Sequence, residues 1–186
     1  SGNITTRGSG TAWTAATATG LTYTGTPTVN ISNNSATATT VTAGTTGGAS
    51  TNAFDFNFTT GTYALTLTTA SNVRGLNFTG FTGSWTSGTV TLYGNFTLVS
   101  GMAYGNGGNF TWANTSGTAV ITLAGKTVFN ITQSGAGGTL QLNGATTLGS
   151  TFTLTNGTLD LNGYTLTCPI FSSSNSNTRV IAFGTG

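Results

Sequence analysis

Thr139-Leu-Gln-Leu-Asn-Gly144 recurs nineteen residues later as Thr158-Leu-Asp-Leu-Asn-Gly163. In each copy two leucines alternate with polar residues. That spacing puts the leucines on one face of an extended strand and Thr, Gln or Asp on the other. The Asn-Gly that follows is a strong turn signal, because both residues tolerate positive φ. The unit is therefore a short strand closed by a tight corner.

Looser copies of the same pattern, aliphatic–x–apolar–x–Gly, spread outward from this pair. They are Leu21-Thr-Tyr-Thr-Gly25, Leu76-Asn-Phe-Thr-Gly80, Val90-Thr-Leu-Tyr-Gly94 and Ile121-Thr-Leu-Ala-Gly125. A second set reads Gly94-Asn-Phe-Thr-Leu98, Gly108-Asn-Phe-Thr-Trp112 and Ser150-Thr-Phe-Thr-Leu154. Further Asn-Gly corners stand at Asn106 and Asn156. Helix formers other than Ala are scarce, and no stretch has a 3.6-residue apolar period. The chain is all-β.

Two architectures fit such strands: an antiparallel β-sandwich and a parallel β-solenoid (β-helix). Asn-Gly turns alone favour hairpins. Three features favour the solenoid. The clearest repeat has the length of one three-sided coil. Thr and Asn recur at outward positions, as stacked ladders require. Charges are so few that like residues can stack without repulsion. The looser copies are unevenly spaced, so the coils vary in length. Asn33–Asn52 and Ser172–Asn177 read as loops leaving a regular body. No linker divides the chain, so residues 1–186 form one module.

Charged residues make up 3% of the sequence, against roughly 25% in an ordinary soluble domain. They are Arg7, Asp55, Arg74, Lys126, Asp160 and Arg179, with no Glu and no His. Four scattered cations make no basic stripe, so nucleic acid is excluded as a partner. No apolar run reaches the roughly 18 residues of a membrane helix, so membrane insertion is not expected. The residues supply no metal site and no Ser–His triad, and no cofactor is expected. A glycosidase needs two facing carboxylates. Asp55 and Asp160 each alternate with apolar neighbours and point outward on strands far apart in sequence. The expectation is a protein that is not an enzyme. Asp160 has Arg179 or Lys126 as candidate ion-pair partners across a coil. Cys168 is the lone cysteine and reads as a structural thiol, with an intersubunit disulfide as the alternative.

A surface with so little charge needs a cover: glycan, neighbouring subunits, or more of the same chain. Ten asparagines stand in N-x-[ST] frames. Thr and Ser are abundant enough to produce several of these by chance. Asn3, Asn30, Asn33, Asn114 and Asn156 are the candidate glycosylation sites. Among the aromatics, Trp85 in Gly83-Ser-Trp-Thr-Ser87 is the candidate sugar-stacking platform, since it sits among turn residues. A flat Thr-x-Thr rank of the ice-binding kind would need one triplet per coil. Triplets beginning at Thr22, Thr37, Thr66, Thr89, Thr153 and Thr165 are too irregular for that.

The strand-like end Arg179-Val-Ile-Ala-Phe-Gly-Thr-Gly186 and the start Ser1-Gly-Asn-Ile-Thr-Thr6 join into one continuous pattern. The chain also starts without Met. It is therefore expected to be one period of a longer head-to-tail array, or a subunit that stacks on itself. Ile4, Val180, Ile181 and Phe183 are the candidate junction residues.

The run Thr153-Leu-Thr-Asn-Gly-Thr-Leu-Asp-Leu-Asn-Gly-Tyr-Thr-Leu166, with Ser172-Ser-Ser-Asn175 and Ile181-Ala-Phe-Gly184, resembles repeat units of very large β-strand-repeat proteins. These are secreted, surface or phage-associated proteins of bacteria and environmental metagenomes. The resemblance implies a β-helical fold and a structural fibre or filament role. It implies an extracellular, cell-surface or virion location. Glycan- or receptor-binding by an adhesin or phage fibre is the alternative it carries. It offers no catalytic residues to transfer.

Overall fold

The computed structural model describes residues 2–184. These residues form strands, turns and bends with no helix. Four sheets of nine, six, five and three strands are present, and every ladder in them is parallel. The chain winds from side to side as a parallel β-solenoid of about nine turns. The absence of antiparallel pairing among the described residues removes the sandwich.

The nine-stranded sheet takes one strand from each turn, from Asn3–Thr6 to Arg179–Ala182. A second side carries the five-stranded sheet from Gly10–Thr17 to Ala103–Gly105. The three-stranded sheet from Thr127–Val128 to Leu166–Thr167 follows on that side in chain order. The third side, six strands, begins only at Ser71–Val73 and ends at Ile170–Ser172.

Register explains the nineteen-residue repeat directly. Thr139, Leu140 and Gln141 lie beside Thr158, Leu159 and Asp160, so the two copies are neighbouring rungs of one sheet. Other turns differ in length. A turn takes 25 residues from Ile4 to Val29, 27 from Val29 to Phe56, and 20 from Phe56 to Leu76. It takes 25 from Phe96 to Ile121 and 21 from Ile121 to Leu142. The longest turn contains the stretch read as a loop, Asn33–Asn52. Part of that stretch is in fact the strand Thr39–Thr46. Conversely, Leu21–Gly25 forms no strand. Asn-Gly serves as a coil corner rather than a hairpin turn: Asn162 and Gly163 have φ of 48° and 76° and turn the chain onto the next side.

Alternation puts one apolar column inside each side. On the nine-stranded sheet it runs Ile4, Val29, Phe56, Leu76, Phe96, Ile121 and Leu142. All of these beyond Ile4 are buried. Aromatic rings stack along the middle of the core: Phe58 on Phe78 at 4.7 Å, Phe78 on Trp85 at 4.9 Å, Phe96 on Phe110 at 4.9 Å. Each fully buried side chain of this size contributes about 1.5–3 kcal/mol.

Outside, like residues stack on like. Asn30, Asn57 and Asn77 share one outward column, and Asn57 Nδ2 donates to Asn30 Oδ1 at 3.1 Å. Asn130 Nδ2 donates to Asn109 Oδ1 at 2.7 Å. Thr91, Thr111, Thr132 and Thr153 form a column on the six-stranded sheet, one per turn. Uncharged side chains let such columns form without repulsion, each pair contributing roughly 0.2–1 kcal/mol.

Candidate functional site

Among the described residues the apolar core is closed along the sides and least covered at the first and last coils. Large apolar side chains left exposed among the described residues are Ile4, Phe129, Tyr164, Ile170, Phe171, Val180, Ile181 and Phe183. Six of these eight fall in residues 164–183. There the last strands of three sheets each have one neighbour. Arg179–Ala182 pairs only with Gly157–Asp160, Ile170–Ser172 only with Thr151–Leu154, and Leu166–Thr167 only with Thr146–Leu148. Among the described residues their other edges have no ladder partner, and such an edge is a template for further strand pairing.

Leu159, Leu161, Leu166, Cys168, Phe171 and Ile181 surround a recess of about 240 Å³ at this end, with Phe183 at its edge. Phe171 stacks on Phe152 at 5.6 Å, with ring planes 4° apart, so its outer face continues the core column into solvent. At the opposite end Asn3–Thr6 pairs only with Thr28–Ser32, leaving Ile4 49% exposed. Trp13 lies half-buried there, 5.2 Å from Phe54 and 5.8 Å from Phe56.

The candidate junction residues divide by direction. Ile181 lies beside buried Leu159, so it faces inward. Phe183 follows it two residues on, on the same face. Leu161 donates its N–H to Ala182 O at 2.7 Å, which sets Phe183 on the column that begins at Ile4. Val180 lies beside Thr158 in an outward column and caps the outer wall instead of the core. Ser1, Thr185 and Gly186, which the joined-ends expectation also uses, lie outside the described residues.

Trp85 belongs to the core and not to the surface. It is 1% exposed, stacked on Phe78 and packed against Phe96, Phe110 and Tyr104. The strand Ser84–Thr86 is only three residues long, so corner residues flank an inward side chain. It is no sugar platform. Two candidate glycosylation sites are also interior. Asn33 is buried; its Nδ2 donates to Thr39 Oγ1 at 2.8 Å and its Oδ1 accepts from Ser35 N at 2.8 Å. Asn114 is buried, and its Nδ2 donates to the Gly117 carbonyl at 3.3 Å and to the Ser116 and Thr139 carbonyls at 3.4 Å. Both residues close corners from inside. Asn30 is tied into the amide ladder, Asn156 sits partly buried at a corner, and Asn3 is exposed on the first strand.

The carboxylates lie five rungs apart on the nine-stranded sheet, about 24 Å at roughly 4.8 Å per rung. Asp55 accepts Arg74 Nε at 3.0 Å and also Arg74 Nη2. That neighbour holds the Arg74 guanidinium above its ordinary pKa by hydrogen bonding. Asp160 meets neither Arg179 nor Lys126. It accepts from Gln141 Nε2 at 2.7 Å, while Lys126 donates to Ser100 O. The threonine column Thr91–Thr153 escaped the triplet count because Asn replaces Thr at Asn109 and Asn130 in the adjoining column. Comparison with family models, curated proteins and solved structures returned no match.

Proposed function

We propose that this chain is the structural subunit of an extracellular fibre, and that it elongates head to tail. The C-terminal coil of one copy receives the N-terminal coil of the next. The observation that carries this reading is the concentration of exposed apolar side chains on the last coil, around a recess lined by Leu159, Leu166, Phe171 and Ile181. A second copy covers that surface and extends the sheets in one step. Its Asn3–Thr6 strand supplies a tenth rung beside Arg179–Ala182, and its Ile4 continues the column that ends at Phe183. The contact joins two different surfaces and does not close, so it propagates as a filament. The near-absence of charge supports the same reading, because the side walls then rely on stacked Asn and Thr columns.

The test is Ile181→Asp. A carboxylate buried in the joint without a partner costs several kcal/mol, while in a single copy it meets solvent. Sedimentation velocity of the variant is expected to show single copies with an unchanged β circular-dichroism spectrum. Filaments of ordinary length from Ile181→Asp refute the end-to-end joint.

A further inference from the structure

We propose that the groove over Gly75, on the outer wall of the nine-stranded sheet, is a binding subsite for a neutral saccharide. One outward column of that sheet runs Thr28, Asp55, Gly75 and Asn95. Gly75 leaves one side chain missing from the wall, and a groove of about 370 Å³ opens there. The absent side chain is enforced: a Cβ on Gly75 would stand 2.8 Å from Asp55 Oδ1 and 3.0 Å from the Asn95 carbonyl. The groove also gathers the one ion pair of the described residues, Asp55 with Arg74, out of six charged residues in the whole chain.

The polar groups around it are pinned at one end and offered at the other. Asn77 Oδ1 accepts from Thr79 N at 3.0 Å and Thr79 Oγ1 at 2.7 Å, so its Nδ2 is the free donor. Asn95 Oδ1 accepts from Val120 N at 2.9 Å, which also frees Nδ2. Backbone donors fix both amide orientations. Asn57 donates through Nδ2 to Asn30, leaving Oδ1 as acceptor. Asp55 receives Arg74 on Oδ2, leaving Oδ1 as a second acceptor. Tyr93 provides an aromatic wall.

Two fixed donors and two fixed acceptors within a shallow groove match groups that donate and accept at once. Sugar hydroxyls are such groups. A sulfate has no proton to give the acceptors, and a phosphate or sulfate alike brings negative charge against the Asp55 carboxylate. A metal ion finds a single carboxylate that Arg74 already neutralises. A neutral polyol ring pays neither penalty. The subsite lies on the side wall, away from both end coils, so it is available in single copies and in a filament alike.

The test is an array of neutral, sialylated and sulfated glycans probed with the full chain and with two variants. Asn77→Asp keeps an oxygen for Thr79 to donate to and removes the free Nδ2 donor, and Arg74→Gln removes the fixed cation. Wild type is expected to bind neutral glycans saturably. Each variant is expected to lose tenfold or more, with melting temperatures that show the fold is intact. Thr132→Ala, on a different side, keeps full binding. No saturable binding by wild type, binding confined to the sialylated or sulfated glycans, or neutral-glycan binding that survives Asn77→Asp would each overturn the assignment.

Discussion

Tyr63 carries a cost that its neighbours absorb. Its ring is fully buried and meets Phe81 edge-on at 5.0 Å, yet its hydroxyl is buried with no protein partner. Burial pushes its pKa up to about 12. Tyr104 is held at about 12 by the same cause, against a hydrogen bond to Ser87 that pulls it down. The folded state thus keeps protons that the unfolded chain releases above about pH 10. Stability from these tyrosines is full below about pH 10 and declines as pH rises toward 12. With no histidine to titrate, melting temperature is expected to stay level between about pH 5 and 8 and to fall above pH 10. Tyr63→Phe removes the orphan hydroxyl and keeps the ring. Calorimetry is expected to show a neutral or stabilising change, up to about 1 kcal/mol, and a shallower alkaline decline. Trp85→Ala goes the other way. It empties the stack with Phe78 and is expected to cost about 3–5 kcal/mol in denaturant unfolding. A change below 1 kcal/mol would contradict the burial of Trp85.

At the scale of the strand and its corner, the alternation of Thr139–Gly144 made strand, inward face and corner legible. It did not say which side of the coil a strand occupies. Gly94-Asn-Phe-Thr-Leu98 contributes to the nine-stranded sheet and Gly108-Asn-Phe-Thr-Trp112 to the six-stranded one, through the same five-residue pattern. Identical local chemistry on different sides is why the spacing looked irregular. Trp85 was misplaced for a related reason: a three-residue strand between corners has the composition of a loop. Asn33 shows the same limit at a corner, since an N-x-S frame and an inward-turned amide look alike in sequence. The groove over Gly75 was invisible because Asp55 and Arg74, nineteen residues apart, meet across a twenty-residue turn that only the register defines. Asn33→Ala strands the Thr39 hydroxyl in a buried corner and is expected to cost about 1–3 kcal/mol. Glycopeptide mass spectrometry of the native material is expected to find Asn33 and Asn114 unmodified. A glycan on either would mean that the corner opens.

For the whole molecule, the side walls and the ends follow different rules. Along the walls, Asn and Thr stack in columns and the core behind them is closed. At the last described coil, strands with one ladder neighbour among the described residues surround exposed Phe171, Ile181 and Phe183. The parallel solenoid itself was readable from the stacked repeat and the scarcity of charge. The inward direction of Ile4, Ile181 and Phe183 was readable from alternation, but not the outward direction of Val180, which depends on register with Thr158. Cys168 lines the C-terminal recess and reports on its coverage. Its labelling by a maleimide is expected to slow at least tenfold on assembly, and an unchanged rate would place the joint elsewhere. The most direct measurement is cryo-electron microscopy of the purified chain at neutral pH. The account predicts filaments in which the nine-stranded sheet runs unbroken from copy to copy. With nine rungs per copy, the axial rise is about 43 Å at roughly 4.8 Å per rung. Dispersed single copies, or assemblies joined through the side walls with the end coils still bare, would contradict it.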